Sequence, residues 1–181
     1  MLDAASPSMR VAIALAAYTG LRQGDVLKFT WNARADGYVR QGKTGDVVFV
    51  PEHSALKAIL DAMPKIAAVV VATEAGRNYT GDGFRTNFQR LKTRLESEGK
   101  VGAGLTFHGL RHTVATKLAD AGADDATIAS VTGHKSAAMV RRYTESRDKK
   151  KRAEAAIRLI DEPKSRTKGS NLAGKRVEPF L

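Results

Sequence analysis

Apolar residues recur at helical spacing along most of this 181-residue chain, and only one short stretch has the pattern of two paired strands. In that stretch, Asp36-Gly37 and Lys43-Thr44-Gly45 are turn signals. Each precedes a short run rich in strand-forming residues, Tyr38–Arg40 and residues 47–50, and together they predict a β-hairpin. The sequence therefore predicts a mainly α fold with one small antiparallel β-sheet (α+β).

The helical segments are bounded by capping residues and glycines, as in the first, which Ser6-Pro7 opens and Gly20 ends. Seven or eight helices are predicted, over residues 6–19, 22–29, 54–63, 81–95, 105–121, 124–131, 136–143 and a final segment around 153–160. The run 69–71 predicts a short strand. From Lys164 onward the chain has no periodicity, so we predict one domain over residues 1–161 and a basic, flexible tail over residues 162–181.

The charge of the chain limits its function and points to a polyanionic partner. Thirty Lys and Arg against nineteen Asp and Glu leave a net charge of +11, which favours nucleic acid, although a basic tail also serves solubility alone. The absence of cysteine excludes disulfides, a thiolate zinc site and a cysteine nucleophile. The longest uncharged apolar run, residues 11–21, is far shorter than a bilayer requires, so we expect no membrane segment and a cytoplasmic protein.

Four short motifs follow one another in a characteristic order. They are TGLRQGD at residues 19–25, QGKTG at 41–45, HGLRH at 108–112, and Gly133-His134 followed nine residues later by Tyr143. This ordered set resembles the catalytic domain of the tyrosine recombinases, the phage integrase family, over most of the chain. The resemblance implies a bacterial or phage-encoded enzyme that acts at the nucleoid.

By this resemblance each motif contributes named residues to one active site. The catalytic residues are Arg22, Lys43, His108, Arg111, His134 and Tyr143, with Asp25 in a supporting position. An arginine suits such a site because its planar fork binds two phosphate oxygens at once. A tyrosine nucleophile needs assistance, because a free phenol has a pKa of about 10. The lysine is the implied general acid for the 5′ oxygen, which departs poorly without a proton.

The histidines and the aspartate have more specific expected roles. The resemblance makes His108 a base or proton shuttle and His134 a hydrogen-bonding partner of the scissile phosphate. Asp25 is expected to hold Arg22 by charge pairing or, alternatively, only to stabilise its helix. His112 is expected to point elsewhere on its helix and to be structural. His108 and His112 have a spacing that can bind zinc, but no third ligand is evident, so no metal or cofactor is expected.

The resemblance also implies the reaction and the partners. The reaction is site-specific DNA recombination by transesterification through a covalent 3′-phosphotyrosine, without metal or ATP. The partner is double-stranded DNA, on which four copies form a homotetramer over paired sites, whereas the free protein is a monomer. The apolar stripe Ala153, Ala156, Ile157 and Ile160 either docks onto a neighbouring copy or packs onto its own core.

Two other functions use similar residues. A type IB topoisomerase shares this chemistry but rejoins the same strand, and the short spacing from His134 to Tyr143 favours the recombinase. A DNA-binding protein of the same fold would use the same surface without cleavage. Members of the family carry a helical DNA-clamping domain ahead of this one, so the chain is expected to be either an excised fragment or a naturally truncated protein.

Overall fold

The computed structural model describes residues 1–134 and 137–161 and consists mainly of helices. After a short 3-10 turn at Leu2–Ala4, the elements are α1 (Pro7–Thr19), α2 (Gln23–Leu27), α3 (Trp31–Asp36), β1 (Tyr38–Arg40), β2 (Val47–Phe49), α4 (Ser54–Asp61), α5 (Gly81–Ser97), α6 (Phe107–Asp120), α7 (Asp125–Thr132) and α8 (Ala137–Asp161). The predicted mainly α fold with a small antiparallel sheet is confirmed.

Helix α1 lies at the centre of the larger core and is buried almost all round. Its small and aliphatic residues, including Val11, Ala14 and Leu15, are fully buried, and α2, α4 and α6 pack against it. The alanines allow the neighbouring helices to approach closely. Helices α5 and α6 join this core through aromatic rings, since Phe84 and Phe88 meet Phe107 edge to face at 5.0 and 5.4 Å.

A smaller core forms where α6, α7 and the first turns of α8 meet. Its buried members are Ala115, Ala119, Ile128 and Val140, and Tyr143 packs against them half-buried. Helix α7 ends at Gly133, which takes a left-handed conformation with φ 66°. This core sets the positions of Gly133, His134 and the first part of α8.

The hairpin pairs Tyr38 with Phe49, Val39 with Val48 and Arg40 with Val47. Val39 and Val48 face the core, whereas their neighbours on both strands are exposed. Strand β2 contacts α7, so the turn between the strands lies near the end of that helix. The hairpin therefore places Lys43 close to the smaller core.

Three elements differ from the sequence prediction. Helix α3 was not predicted; the side chain of Thr30 caps it, accepting a hydrogen bond from the backbone of Ala33. Residues 69–71 form no strand, because Val69 makes only an isolated bridge to Thr30. The two helices predicted over 136–143 and 153–160 are one continuous helix, α8, because no glycine or proline interrupts residues 137–161.

Internal contacts divide the chain after Asp148, and the two cores, the hairpin and helices α1 to α7 belong to residues 1–148. Beyond Asp148, the structure describes helix α8 as far as Asp161. In this part of the helix Ala153, Ala156 and Ile157 are exposed, and 58% of the surface of Ile157 is accessible. The side chain of Ile160 and the predicted tail over residues 162–181 lie outside the described residues. No described helix is long and apolar enough to cross a membrane.

Candidate active site

An open cavity of about 420 Å³ brings the sequence-predicted catalytic residues together. The residues that line it include Arg22, Lys43, His108, Arg111, His134 and Tyr143. Four residues not predicted for the site, His112, Ala138, Met139 and Arg142, line it as well, and no acidic residue in the described part of the chain does. Such a cavity is suited to a negatively charged group.

Arg22 reaches the cavity because the chain reverses between α1 and α2. Gly20 ends α1 in a left-handed conformation with φ 68°, and Arg22 then stands at the N-cap of α2. Its Nη1 donates to Gln41 Oε1 at 2.6 Å, and its Nη2 donates to the carbonyl of Gly133 at 3.5 Å. The guanidinium is thereby tied both to the hairpin and to the segment that carries His134.

Arg111, in the second turn of α6, is the most buried charge of the site. Its side chain is 2% exposed, and Nη1 donates to the carbonyl of Gly20 at 2.7 Å. Burial, and then the positive charge of Arg22, lower its pKa to about 10. The other terminal nitrogen of the guanidinium, Nη2, is also buried, and no described residue accepts a hydrogen bond from it. An anion in the cavity would supply the missing acceptor and the missing countercharge.

Asp25 supports the hairpin rather than Arg22. Its Oδ1 accepts a hydrogen bond from the backbone N–H of Gly42 at 2.8 Å, beside the exposed side chain of Lys43. The expected ion pair with Arg22 does not form within the described part of the chain, because Arg22 donates to Gln41 and Gly133 instead. The carboxylate is only 5% exposed, so it fixes the turn from inside the protein.

Gln41 is a site residue that the sequence prediction missed. It is fully buried, and besides Arg22 it contacts Thr44, whose hydroxyl donates to its Oε1 at 3.2 Å. Its Nε2 donates to the carbonyl of Thr132 at 3.5 Å. Its place two residues before the predicted lysine was the one sequence feature that could have drawn attention to it.

His134 follows the left-handed Gly133 and is held by its neighbour Thr132. The Thr132 hydroxyl donates to the carbonyl of Ile128, so its oxygen accepts from His134 Nδ1, 2.6 Å away. This leaves Nε2 of the imidazole for a bound group. Burial, followed by the charges of Arg111 and Arg22, lowers the pKa of His134 to about 4, so the ring is neutral at physiological pH.

Tyr143 projects from α8 to the cavity, where its hydroxyl lies 2.7 Å from His112 Nδ1. The prediction that His112 points away from the site is wrong, because residues three and four apart share one face of a helix and His108, Arg111 and His112 all face the cavity. Burial raises the pKa of the Tyr143 phenol, and the charges of Arg111 and Arg142 oppose that rise.

The other histidine of α6, His108, contacts His112 rather than Tyr143. Its ring meets His112 edge to face at 4.8 Å, and the described residues contain no hydrogen bond between His108 and Tyr143. Burial, with smaller contributions from His112 and Arg111, lowers the pKa of His108. It is therefore a neutral group at the wall of the cavity.

Comparisons with known proteins point to one protein family. The Phage integrase family model matches residues 1–150. The chain is 29% identical to the shufflon-specific DNA recombinase of Escherichia coli over 138 residues, which are 74% of this chain and 33% of that protein. It is 27% identical to the integrase of Escherichia phage lambda over 149 residues, 77% of this chain and 42% of that protein. The chain thus spans less than half of either relative.

Solved structures of lambda integrase share the fold. A dimer of residues 75–356 bound to a COC′ core site is 28% identical with a TM-score of 0.66, covering 79% of this chain and 55% of that one. A tetramer bound to a Holliday junction is 28% identical with a TM-score of 0.62, covering 75% and 44%. With the family model matching most of its length, the chain belongs to the phage integrase family, the tyrosine recombinases.

Proposed function

We propose that this chain is the catalytic domain of a site-specific DNA recombinase that cuts and rejoins strands by transesterification through a covalent 3′-phosphotyrosine. The observation that carries the proposal is one cavity in which three guanidinium groups, a lysine, three histidines and a tyrosine converge, with no acidic residue among the described residues that line it. The two relatives, a recombinase and an integrase, support the same activity.

In the proposed cleavage step, Tyr143 Oη attacks the scissile phosphorus in line with the 5′ oxygen. Arg22 and Arg111 bind the non-bridging oxygens, and the unpartnered Nη2 of Arg111 gains an acceptor there. The charge of the bound phosphate raises the pKa of His134, and the protonated ring donates Nε2–H to a phosphate oxygen while Nδ1–H stays with Thr132. Lys43 gives a proton to the departing 5′ oxygen. His108, whose ring contacts His112, serves as a proton shuttle at the wall of the cavity.

The products explain why the reaction is reversible. The phosphodiester is exchanged for a phosphotyrosine ester of comparable energy, so a 5′ hydroxyl from another strand reverses the step without ATP. The attack by a strand of a second duplex makes the outcome recombination, whereas return of the original strand would make it relaxation of supercoils.

The proposed partner is double-stranded DNA, bound by four copies over two paired sites, with a monomer in its absence. Lambda integrase forms a tetramer on a Holliday junction in one of the structures to which this chain is similar. The exposed Ala153, Ala156 and Ile157 fit a helix that docks onto a neighbouring copy. Binding through Lys and Arg is expected to weaken steeply as salt rises.

A trapping assay tests the proposal. The 181-residue chain and the full gene product are incubated at low salt with nicked duplexes tiled across the DNA that flanks the gene. A nick close to the cut lets the short product leave, so the covalent adduct accumulates and shifts on a denaturing gel. We expect an adduct that Tyr143→Phe abolishes while DNA binding is retained.

Two other outcomes would overturn the proposal. DNA binding without any adduct from the full gene product would identify a non-catalytic DNA-binding protein. An adduct that rejoins only its own strand, even when a second duplex supplies a 5′ hydroxyl, would identify a topoisomerase-like activity. If only the 181-residue chain fails, a segment outside it is needed for cleavage.

A further inference from the structure

The contact between Tyr143 and His112 joins the proposed nucleophile directly to an imidazole nitrogen. The 2.7 Å between Tyr143 Oη and His112 Nδ1 is a short hydrogen-bond distance for a phenol. A neutral imidazole with its proton on Nε2 accepts at Nδ1, so the phenolic O–H is the donor. The two rings are tilted, with their centroids 5.5 Å apart.

We propose that His112 is the group that takes the phenolic proton of Tyr143 during cleavage, an inference that rests on the proposed function. As the bond between Tyr143 Oη and phosphorus forms and the bond from phosphorus to the 5′ oxygen breaks, the proton passes to His112 Nδ1. Lys43 protonates the 5′ oxygen. On rejoining, the 5′ hydroxyl returns its proton to Lys43 and the imidazolium of His112 reprotonates the departing tyrosine, so protons and charge balance.

The neighbouring histidines are less suited to this task. His134 has its Nδ1 engaged by Thr132, and its ring centroid lies 5.8 Å from that of Tyr143. His108 is one helical turn before His112 and contacts the His112 ring rather than the phenol. Only His112, among the described histidines, has a hydrogen bond to Tyr143.

The surroundings explain why a direct acceptor is useful. Burial raises the pKa of Tyr143, so a free phenolate would be scarce at neutral pH. The charged and titratable groups around His112 are Arg111 and His108 on α6, Arg142 on α8, Arg22, Lys43 and His134. A proton transferred to His112 adds a cation to this set, and the dianionic phosphorane that forms at the same moment compensates for it.

The test compares His112→Gln with the wild-type chain in single-turnover adduct formation on the mapped nicked duplex, as a function of pH. Glutamine keeps a hydrogen-bond acceptor for the phenol but cannot take up a proton. We expect the variant to lose about 10²- to 10⁴-fold in rate near pH 7. Its rate should then rise about tenfold per pH unit as phenolate forms unaided, whereas the wild-type rate reaches a plateau because His112 takes up the proton.

Three further measurements make the result specific. His53→Gln changes a histidine outside the cavity, which caps α4 by accepting from Ala55, and should leave the rate and the pH profile unchanged. Adding imidazole should partly restore His112→Ala, because the free base can enter and take the proton. DNA binding is measured for each variant to show that it is folded. Because the His112 side chain is exposed, we expect its substitution to leave the fold intact.

The outcomes separate the inference from the function on which it rests. A wild-type rate and plateau in His112→Gln, with an adduct that still requires Tyr143, would overturn the inference alone. A loss of the plateau in His108→Gln but not in His112→Gln would assign the proton to His108 instead. The absence of any Tyr143-dependent adduct in the wild-type protein would overturn both.

Discussion

Gln41 Oε1 accepts a hydrogen bond from Arg22 Nη1 at 2.6 Å, and this contact joins the turn of the hairpin to one of the three arginines that line the cavity. The same amide reaches the end of α7 through the carbonyl of Thr132. Three segments that are distant in sequence therefore meet at one fully buried side chain. Gln41 is thus a positioning residue, which acts on the reaction through the groups it holds.

Replacing Gln41 should separate positioning from DNA affinity. Gln41→Ala removes the acceptor for Arg22 and leaves a void beside Gly133, so we expect adduct formation to slow by about 10²-fold with little change in DNA binding. The measurement is the single-turnover rate at saturating protein. Gln89→Ala, on the exposed face of α5, is the matched control and should behave as wild type. Equal rates for the two variants would contradict the assignment.

Gly133 should tolerate no side chain, for two separable reasons. Its φ of 66° disfavours any L residue, and an added Cβ would overlap the buried amide of Gln41. Gly122 also has a positive φ, 94°, but a Cβ there meets nothing within 4 Å. We expect Gly122→Ala to cost about 1–2 kcal/mol of unfolding free energy. Gly133→Ala should cost about 1–3 kcal/mol more in urea titrations, and equal losses would argue against the overlap.

Asp25 should act through its hydrogen bond to Gly42 rather than through its charge. Asparagine keeps an oxygen for the Gly42 N–H, so Asp25→Asn should remain within a few-fold of the wild-type cleavage rate. Asp25→Ala releases the turn that carries Lys43, and we expect a loss of about 10²-fold. Asp36→Ala, an exposed aspartate at the end of α3, serves as the control. An equal loss in the Asn and Ala variants would show that the carboxylate charge is what matters.

Lys43 should become dispensable when the leaving group needs no proton. A bridging sulfur at the 5′ position of the mapped scissile phosphate departs as a thiolate, because thiols are far more acidic than alcohols. We expect Lys43→Ala to lose about 10²- to 10⁴-fold in adduct formation on the ordinary duplex and to recover most of it on the sulfur-containing one. Lys28→Ala, an exposed lysine at the end of α2, should equal wild type on both. No recovery would exclude Lys43 as the general acid.

The pKa of His134 should report on the occupancy of the cavity. Burial and the two arginines hold this pKa at about 4, and a bound phosphate diester would offset the arginine charges and raise it. Nuclear magnetic resonance titration of the imidazole protons, with and without a short duplex, measures the change. In the unfolded chain this histidine has a pKa of about 6.5 and binds a proton more readily than it does in the folded protein. The contribution of His134 to the stability of the fold is therefore fully present above about pH 6.5 and is lost as the pH falls towards 4. An unchanged pKa in the complex would contradict contact with the phosphate.

The local pattern of the sequence was enough to predict most helices and the hairpin. Phe84, Phe88, Leu91 and Leu95 recur at helical spacing and are all buried on α5. Helix α3 was missed because its position depends on distant residues. The backbone N–H of Trp31 donates to the carbonyl of Ala68, and Thr30 bridges to Val69. The isolated bridge also explains why residues 69–71 do not form a strand.

The order and spacing of the motifs determined the family and six of the residues that line the cavity, because residue type and separation along the chain are properties of the sequence itself. The tertiary structure alone decided which of them touch. His112 meets Tyr143, thirty-one residues away, because α8 packs against α6 and α7. Asp25 accepts a hydrogen bond from Gly42, whereas Gln41 is the residue that accepts one from Arg22. Such contacts depend on how whole elements pack, and no local pattern of residues encodes that packing.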